Sequence, residues 1–355
     1  MFRRFLLLLL LVGSSLSFVP RACAQSAILD LPRQSQRATV RQRVGITNIT
    51  INYHRPLVNK RKVFGGLEPY GKVWRAGANE NTTIEFSDPV TVEGKPLPKG
   101  IYGLHMIPTE KEWTVIFSKN ATSWGSFTYD QNEDALRVTV KPQAAEMHEA
   151  LTYDFDDPTP TAVTVAMRWE KVSVPFKVEV NTTDIVQASL RNQLRSRAKY
   201  EWSTWDEAAN YLLNNKLSAE EALKDSQESI QVEERFENLM TQARALDALN
   251  RKDEAATVRN KALPIGSPIQ VHVYGRQLQQ QGKQEEAFQV YRENIKKNPN
   301  NWVVHNEQAR LACSQKDFDG AVKEMRLALA SAPDPQKPGI EALVKRLEAK
   351  EDINK

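Results

Sequence analysis

Val172-Ser173-Val174-Pro175-Phe176-Lys177-Val178-Glu179-Val180-Asn181-Thr182-Thr183-Asp184 is the stretch in which the chain changes its period. Up to Val180 the apolar residues fall on every second position, as in a half-buried strand; beyond Asp184 they recur at helical spacing. On the N-terminal side the same alternation runs through Ile49/Ile51/Tyr53, Trp113/Val115/Phe117, Leu136/Val138/Val140 and Val163/Val165/Met167/Trp169. Turn chemistry separates these runs at Glu93-Gly94-Lys95-Pro96, Pro98-Lys99-Gly100 and Asp156-Asp157-Pro158. Many short strands without a helical pattern between them predict an antiparallel β-sandwich or barrel-like domain over about 35–182.

On the C-terminal side, Thr204 with Glu207 and Ser218 with Glu221 have capping-box spacing and mark expected helix starts. Aligning Pro299 with Pro333 gives a 34-residue period, the length of a tetratricopeptide unit. One unit runs over 268–301, with Gly275, Leu278, Gly282, Ala287 and Tyr291; the next runs over 302–335, with Ala309, Ala312, Phe318, Ala321 and Ala328. Fainter units start near Phe236 and span 201–232, and Gly339–Lys350 reads as a closing helix. The expected whole is an α+β multidomain chain whose 184–350 region is an α-helical tetratricopeptide-like solenoid.

Ahead of both, Arg3-Arg4, an apolar stretch from Phe5 to Val19 and Pro20-Arg21-Ala22-Cys23-Ala24 follow the order of a signal peptide, with cleavage expected after Ala24. Residues 25–34 then form the mature N-terminal segment. Cleavage removes three arginines and no acid, so the formal charge falls from +4 to +1. It also leaves Cys313 as the sole cysteine, so no internal disulfide is expected in an oxidising periplasmic or secreted location. No segment of the mature chain has the roughly 20 apolar residues that a transmembrane helix needs.

The run Asn52-Tyr53-His54-Arg55-Pro56, then Lys62-Val63-Phe64-Gly65, then Pro69-Tyr70-Gly71-Lys72-Val73-Trp74-Arg75-Ala76-Gly77-Ala78-Asn79-Glu80 resembles a bacterial exported family, domain-of-unknown-function family 2911. Gly100-Ile101-Tyr102, Trp113-Thr114-Val115-Ile116 and Leu136-Arg137-Val138-Thr139-Val140 extend the resemblance over about 31–180. The resemblance implies a β-rich secreted module, often followed by a repeat-like helical region, and no defined activity.

Several residues are candidates for a site. Arg55 ends a strand whose Ile49, Ile51 and Tyr53 share its face, which places its guanidinium at one rim of the core. Arg75, Asn79 and Glu80 group a cation, an amide and a carboxylate around Gly77; such a loop can grip a polar ligand, or it can be a network pinning the loop to the sandwich. Trp124 is the candidate exposed aromatic. The stretch 31–67 is rich in Arg and Lys without an acid, but Glu146, Glu149, Asp154, Asp156 and Asp157 balance it and no aromatics interleave the arginines, so no nucleic-acid partner is expected. The five histidines lack metal-ligand spacing, and no cofactor or metal is expected. An acid–base pair of Glu80 and His105 is the one enzyme constellation available, provided the fold brings them together.

In the helical region, position nine of successive units is Arg244, Arg276 and Arg310, and position five is Met240, His272 and Asn306. Facing a concave groove, these residues would hold an extended peptide and its carboxylate through charge-assisted hydrogen bonds. The expected function is thus an exported, non-catalytic binding or scaffold protein, its β-domain taking a partner or polar ligand and its helices docking a protein or peptide. A carbohydrate- or envelope-binding protein and a hydrolase are the alternatives.

Overall fold

A computed structural model of the protein describes residues 32–354. The expected signal peptide and residues 25–31 lie outside the described residues. The chain divides into two compact units at Val180/Asn181, inside the stretch where the sequence period changes.

The first unit contains two antiparallel sheets. One has the order β1 (Gln36–Val44), β2 (Thr47–Arg55), β3 (Thr83–Phe86), β6 (Gly100–Ile107), β7 (Trp113–Ser118), β8 (Asp134–Val140); the other has the order β5 (Lys95–Leu97), β4 (Val90–Val92), β10 (Ala162–Glu179), β9 (Gln143–Asp156). Rings of one sheet meet rings of the other, Phe117 against Phe176 at 5.8 Å and Tyr53 against Tyr153 at 4.8 Å. The alternating apolar residues therefore line the space between the sheets, as in a sandwich.

Two apolar runs expected as separate strands, Val163–Trp169 and Val172–Val180, form one strand through Glu179. Inward residues are odd-numbered as far as Trp169 and even-numbered from Val172, so one residue has to be absorbed. Glu170 does this at φ 56°, and the register with β9 shifts on both sides of it. It is a β-bulge that lets a continuous strand keep its apolar face inward. Between β4 and β5, Glu93 and Gly94 both take positive φ, 48° and 73°, as a tight hairpin requires.

The second unit begins where Asn181 Oδ1 accepts from the Asp184 amide and caps α1 (Thr182–Gln193). Helices α2 (Trp202–Asn214), α3 (Ala219–Val232), α4 (Phe236–Ala248) and α5 (Lys252–Ala262) follow. Then come α6 (Pro268–Gln280), α7 (Gln284–Lys297), α8 (Trp302–Ser314), α9 (Phe318–Ser331) and α10 (Lys337–Glu348). Ser218 caps α3 through the Glu221 amide at 3.1 Å, as its spacing predicts. Thr204 is not a cap: α2 starts two residues earlier, and the Thr204 hydroxyl donates to the Ala198 and Glu201 carbonyls instead. Gly275 on α6 permits close helix packing, since a Cβ there would sit 2.3 Å from the buried Tyr291 ring of α7. No helix of the described residues is long and apolar enough to cross a membrane.

Candidate functional site

An open groove of about 690 Å³ lies where β1 and β2 meet the start of β3 and the loops that hold residues 80–81 and 121–123. Its position follows from strand parity. Odd-numbered residues of β2 fill the core, so Asn52 and His54 face outward, and the antiparallel register sets Arg37 of β1 opposite His54. Asn81, Thr83 and Ser123 complete the polar lining.

Glu80 reaches this groove because the loop before it is tightly pinned. Trp74 Nε1 donates to the Gly77 carbonyl at 3.0 Å, and the Thr82 hydroxyl and the buried Tyr153 hydroxyl both donate to the Ala76 carbonyl. Ala76 and Asn79 take positive φ, and a Cβ on Gly77 would lie 2.4 Å from Thr82 Oγ1. The loop thus closes on small residues at 76–78 and delivers Glu80 as its last member.

Within the groove, Arg33 Nη1 donates to Glu80 Oε1 at 2.7 Å, and His54 Nε2 lies 3.3 Å from Glu80 Oε2. Burial opposes ionisation of Glu80, but its backbone hydrogen bond and the Arg33 guanidinium together hold the carboxyl below its usual range. Burial lowers the His54 pKa, outweighing the Glu80 charge, and Arg33, Arg37 and Arg75 pull the same way, so the imidazole is neutral at pH 7. Glu80 Oε2 and Asn81 Oδ1 are buried acceptors with no hydrogen-bond donor aligned on them among the described residues. Arg37 is exposed, and its guanidinium has no hydrogen-bond or ion-pair partner among the described residues.

The residues singled out in the sequence separate into three groups. Glu80 lines the groove, and Trp124 stands at its edge: it is 50% exposed, bridges to Glu80 through the backbone and carries the Arg33 guanidinium over its ring at 5.4 Å. Arg55 and Asn79 are committed to structure. Arg55 Nε donates to the Leu151 carbonyl of the opposite sheet, and Asn79 Nδ2 donates to the Ser35 carbonyl. Arg75 points elsewhere, toward Gly125 and Glu68, and its Nε is buried without a hydrogen-bond partner among the described residues. Burial pushes the Glu68 carboxyl up to about 7, against the pull of Arg75 and Arg61. Arg55, Arg75, Asn79 and Glu80 therefore do not converge on one cleft.

Glu80 and His105 are not joined either. His105 is buried, bonds Ser126 Oγ through Nδ1 at 2.9 Å and packs on Tyr129; burial lowers its pKa to about 4. The acid that Glu80 would offer is held by Arg33 and His54 instead. Arg33, Arg37, His54 and Asn81 were not singled out for the groove. The available signal was the polar parity of Asn52 and His54, within the same motif as Arg55.

In the helical unit the repeat positions meet different fates. Arg244 is exposed and donates to Asn210 and Asn214 at 2.6 and 2.7 Å. His272 stacks on Tyr291 and contacts the fully buried Glu307; Arg276 donates to Gln279. Asn306 and Arg310, expected to face an open groove, are buried, and Arg310 is only 4% exposed. The reason is that residues 351–354 lie over them: Arg310 Nη1 donates to the Ile353 carbonyl at 2.6 Å and Arg310 Nε to Asn306 Oδ1 at 2.9 Å.

A comparison with curated proteins found no match to the chain. Residues 35–178, which take in the whole sandwich apart from Glu179 at its end, match the model of a family described as "Protein of unknown function (DUF2911)".

Proposed function

We propose that the protein is an exported, non-catalytic binding protein whose β-sheet unit takes a small hydroxylated anion, such as an acidic-sugar fragment, in the groove beside Arg37 and Glu80. The observation that carries this reading is the buried acceptor Asn81 Oδ1, which has no donor among the described residues, beside Glu80 Oε2, which has only the unaligned His54 Nε2 at 3.3 Å, in the wall of an open groove. Buried acceptors in folded proteins are nearly always satisfied, so a ligand that brings hydroxyl donors fits them. The Glu80 side chain is 46% exposed, so the carboxylate is reachable from the groove. Arg33 is neutralised by Glu80, which leaves Arg37 as the cation for a carboxylate, and the exposed edge of Trp124 offers an apolar surface to a sugar ring.

The helical unit supports a second, separate role. Its helices α6 and α8 begin 34 residues apart, at Pro268 and Trp302, each followed by a partner helix, α7 or α9. We read these pairs as tetratricopeptide-like repeats that dock a protein or peptide.

Replacing Arg37 by Glu tests the groove. A charge-assisted hydrogen bond contributes about 1.5–3 kcal/mol, so R37E is expected to weaken binding of tetragalacturonate by roughly 10- to 100-fold, read from tryptophan fluorescence. Because Arg37 is exposed and has no partner among the described residues, thermal stability is expected to stay unchanged. Equal binding by R37E and the parent would remove the groove from consideration.

A further inference from the structure

The segment after α10 sits on the helical unit in the manner of a bound peptide. Lys350, at φ 57°, reverses the chain, and Glu351–Asn354 then run across α6, α8 and α10. The backbone of this segment is held by side chains: Arg310 donates to the Ile353 carbonyl and Arg346 Nη2 to the Asp352 carbonyl at 3.0 Å. Ile353 is the apolar anchor, 1% exposed and packed in the cluster of Ala309, Cys313 and Leu347.

Asn354 is read from both ends of its amide. Its Nδ2 donates to the Arg310 carbonyl, and its Oδ1 accepts from Gln279 Nε2, each at 3.0 Å. The Gln279 amide is itself oriented, because its Oε1 accepts from the Tyr291 hydroxyl and from Arg276. An aspartate at this place would turn an acceptor toward the Arg310 carbonyl. The site therefore distinguishes Asn from its isosteric acid, a degree of readout that covering an apolar surface does not require.

We infer that this face of α6 and α8 is a peptide site that the chain's own Glu351–Asn354 fills, and that a partner segment with the same acid–apolar–asparagine order docks there by displacing it. The inference rests on the docking role given to the helices above and adds the partner's chemistry and its regulation. A tethered segment competes at an effective concentration of order millimolar, so the filled site binds an outside peptide far more weakly than the vacated one.

Calorimetry with a synthetic peptide of residues 350–355 tests this against the full chain, a chain ending at Lys350 and the full-length variant Ile353→Asp. The shortened chain and Ile353→Asp are expected to bind the peptide at least tenfold more tightly than the parent, and a peptide with Asn354→Asp at least tenfold more weakly than the original. Equal affinity of all three chains, or no binding by a folded variant, overturns the inference. Loss of the folded state in both variants, read by circular dichroism, also overturns it, since the segment would then be part of the core. A library of unrelated extended peptides separates the two readings: a shortened chain that captures library members but not the probe overturns only the inference, and one that captures neither overturns docking as well.

Discussion

Replacing Trp169 by alanine is expected to destabilise the β-sheet unit by about 3–5 kcal/mol, the largest loss from any single side chain considered for this protein. Trp169 is fully buried beside the bulge of β10, stacked on Trp74 at 5.7 Å and edge-on to Phe64 at 5.9 Å. Phe64 in turn packs on Trp113 at 4.7 Å, so a single aromatic cluster ties both sheets to the segment before the site. Removing the indole leaves a cavity that its two neighbouring rings, Trp74 and Phe64, cannot collapse to fill. Total stabilities are about 5–15 kcal/mol, so the loss is a large part of the whole. Ligand binding is expected to fall as well, because Trp74 carries the hydrogen bond to Gly77 that positions Glu80. Urea unfolding of W169A should show a lower midpoint with an unchanged slope; a shift worth less than about 1 kcal/mol would mean the cluster does not organise this unit.

The second large effect is a pH dependence of the helical unit. Glu307 is fully buried, accepts from Asn294 at 2.9 Å and lies 3.2 Å from His272, with Arg310 on its own helix. Burial pushes the carboxyl from 4.5 up to about 8, against the Asn294 hydrogen bond and the Arg310 charge, and lowers His272 from 6.5 to about 3, helped by Arg310 and Arg276. Between pH 4.5 and 8 the folded chain keeps a Glu307 proton that the unfolded chain has released, so this group's contribution falls as pH rises. Between pH 3 and 6.5 the unfolded chain binds a His272 proton that the folded chain refuses, so that contribution rises with pH. The two oppose each other up to pH 6.5, and above it Glu307 acts without this opposition. Stability of the helical unit is expected to drop by about 2 kcal/mol from pH 6.5 to 8 at 1.36 kcal/mol per proton and pH unit. Glu307→Gln, which keeps an acceptor for Asn294 and carries no charge, should flatten that part of the profile. A flat profile in the parent chain would contradict the burial assigned to Glu307.

The period change at Val180 and the two apolar runs on either side of Glu170 were legible in the sequence, because each is a local consequence of which side chains must face inward; that the runs form one strand was not, because it depends on the bulge at Glu170. The helix pairs at 268–297 and 302–331 were legible for the same reason, small residues recurring where helices approach. The groove was only partly legible. Glu80 and Trp124 stood out by residue type, but Arg37 and His54 become neighbours through the β1–β2 register, and Asn81 joins them from a loop whose path depends on Trp74 and Tyr153. Arg55 was placed at the core rim as parity demands; what parity could not supply was its partner, a carbonyl on a strand 96 residues away. Glu351–Asn354 has the composition of a solvated end, and its burial depends on the turn at Lys350 and on Gln279 and Arg310, far earlier in the chain.

Side-chain nuclear magnetic resonance of the full chain during titration with tetragalacturonate tests whether the groove beside Arg37 and Glu80 takes an acidic sugar. Shifts are expected to be concentrated on the Asn52 and Asn81 amides, the Arg33 and Arg37 guanidinium groups and the Trp124 indole, with neutral maltotetraose producing shifts at least tenfold weaker at equal concentration. Equal response to both sugars, or shifts that leave Asn81 and Arg37 unmoved, would contradict it.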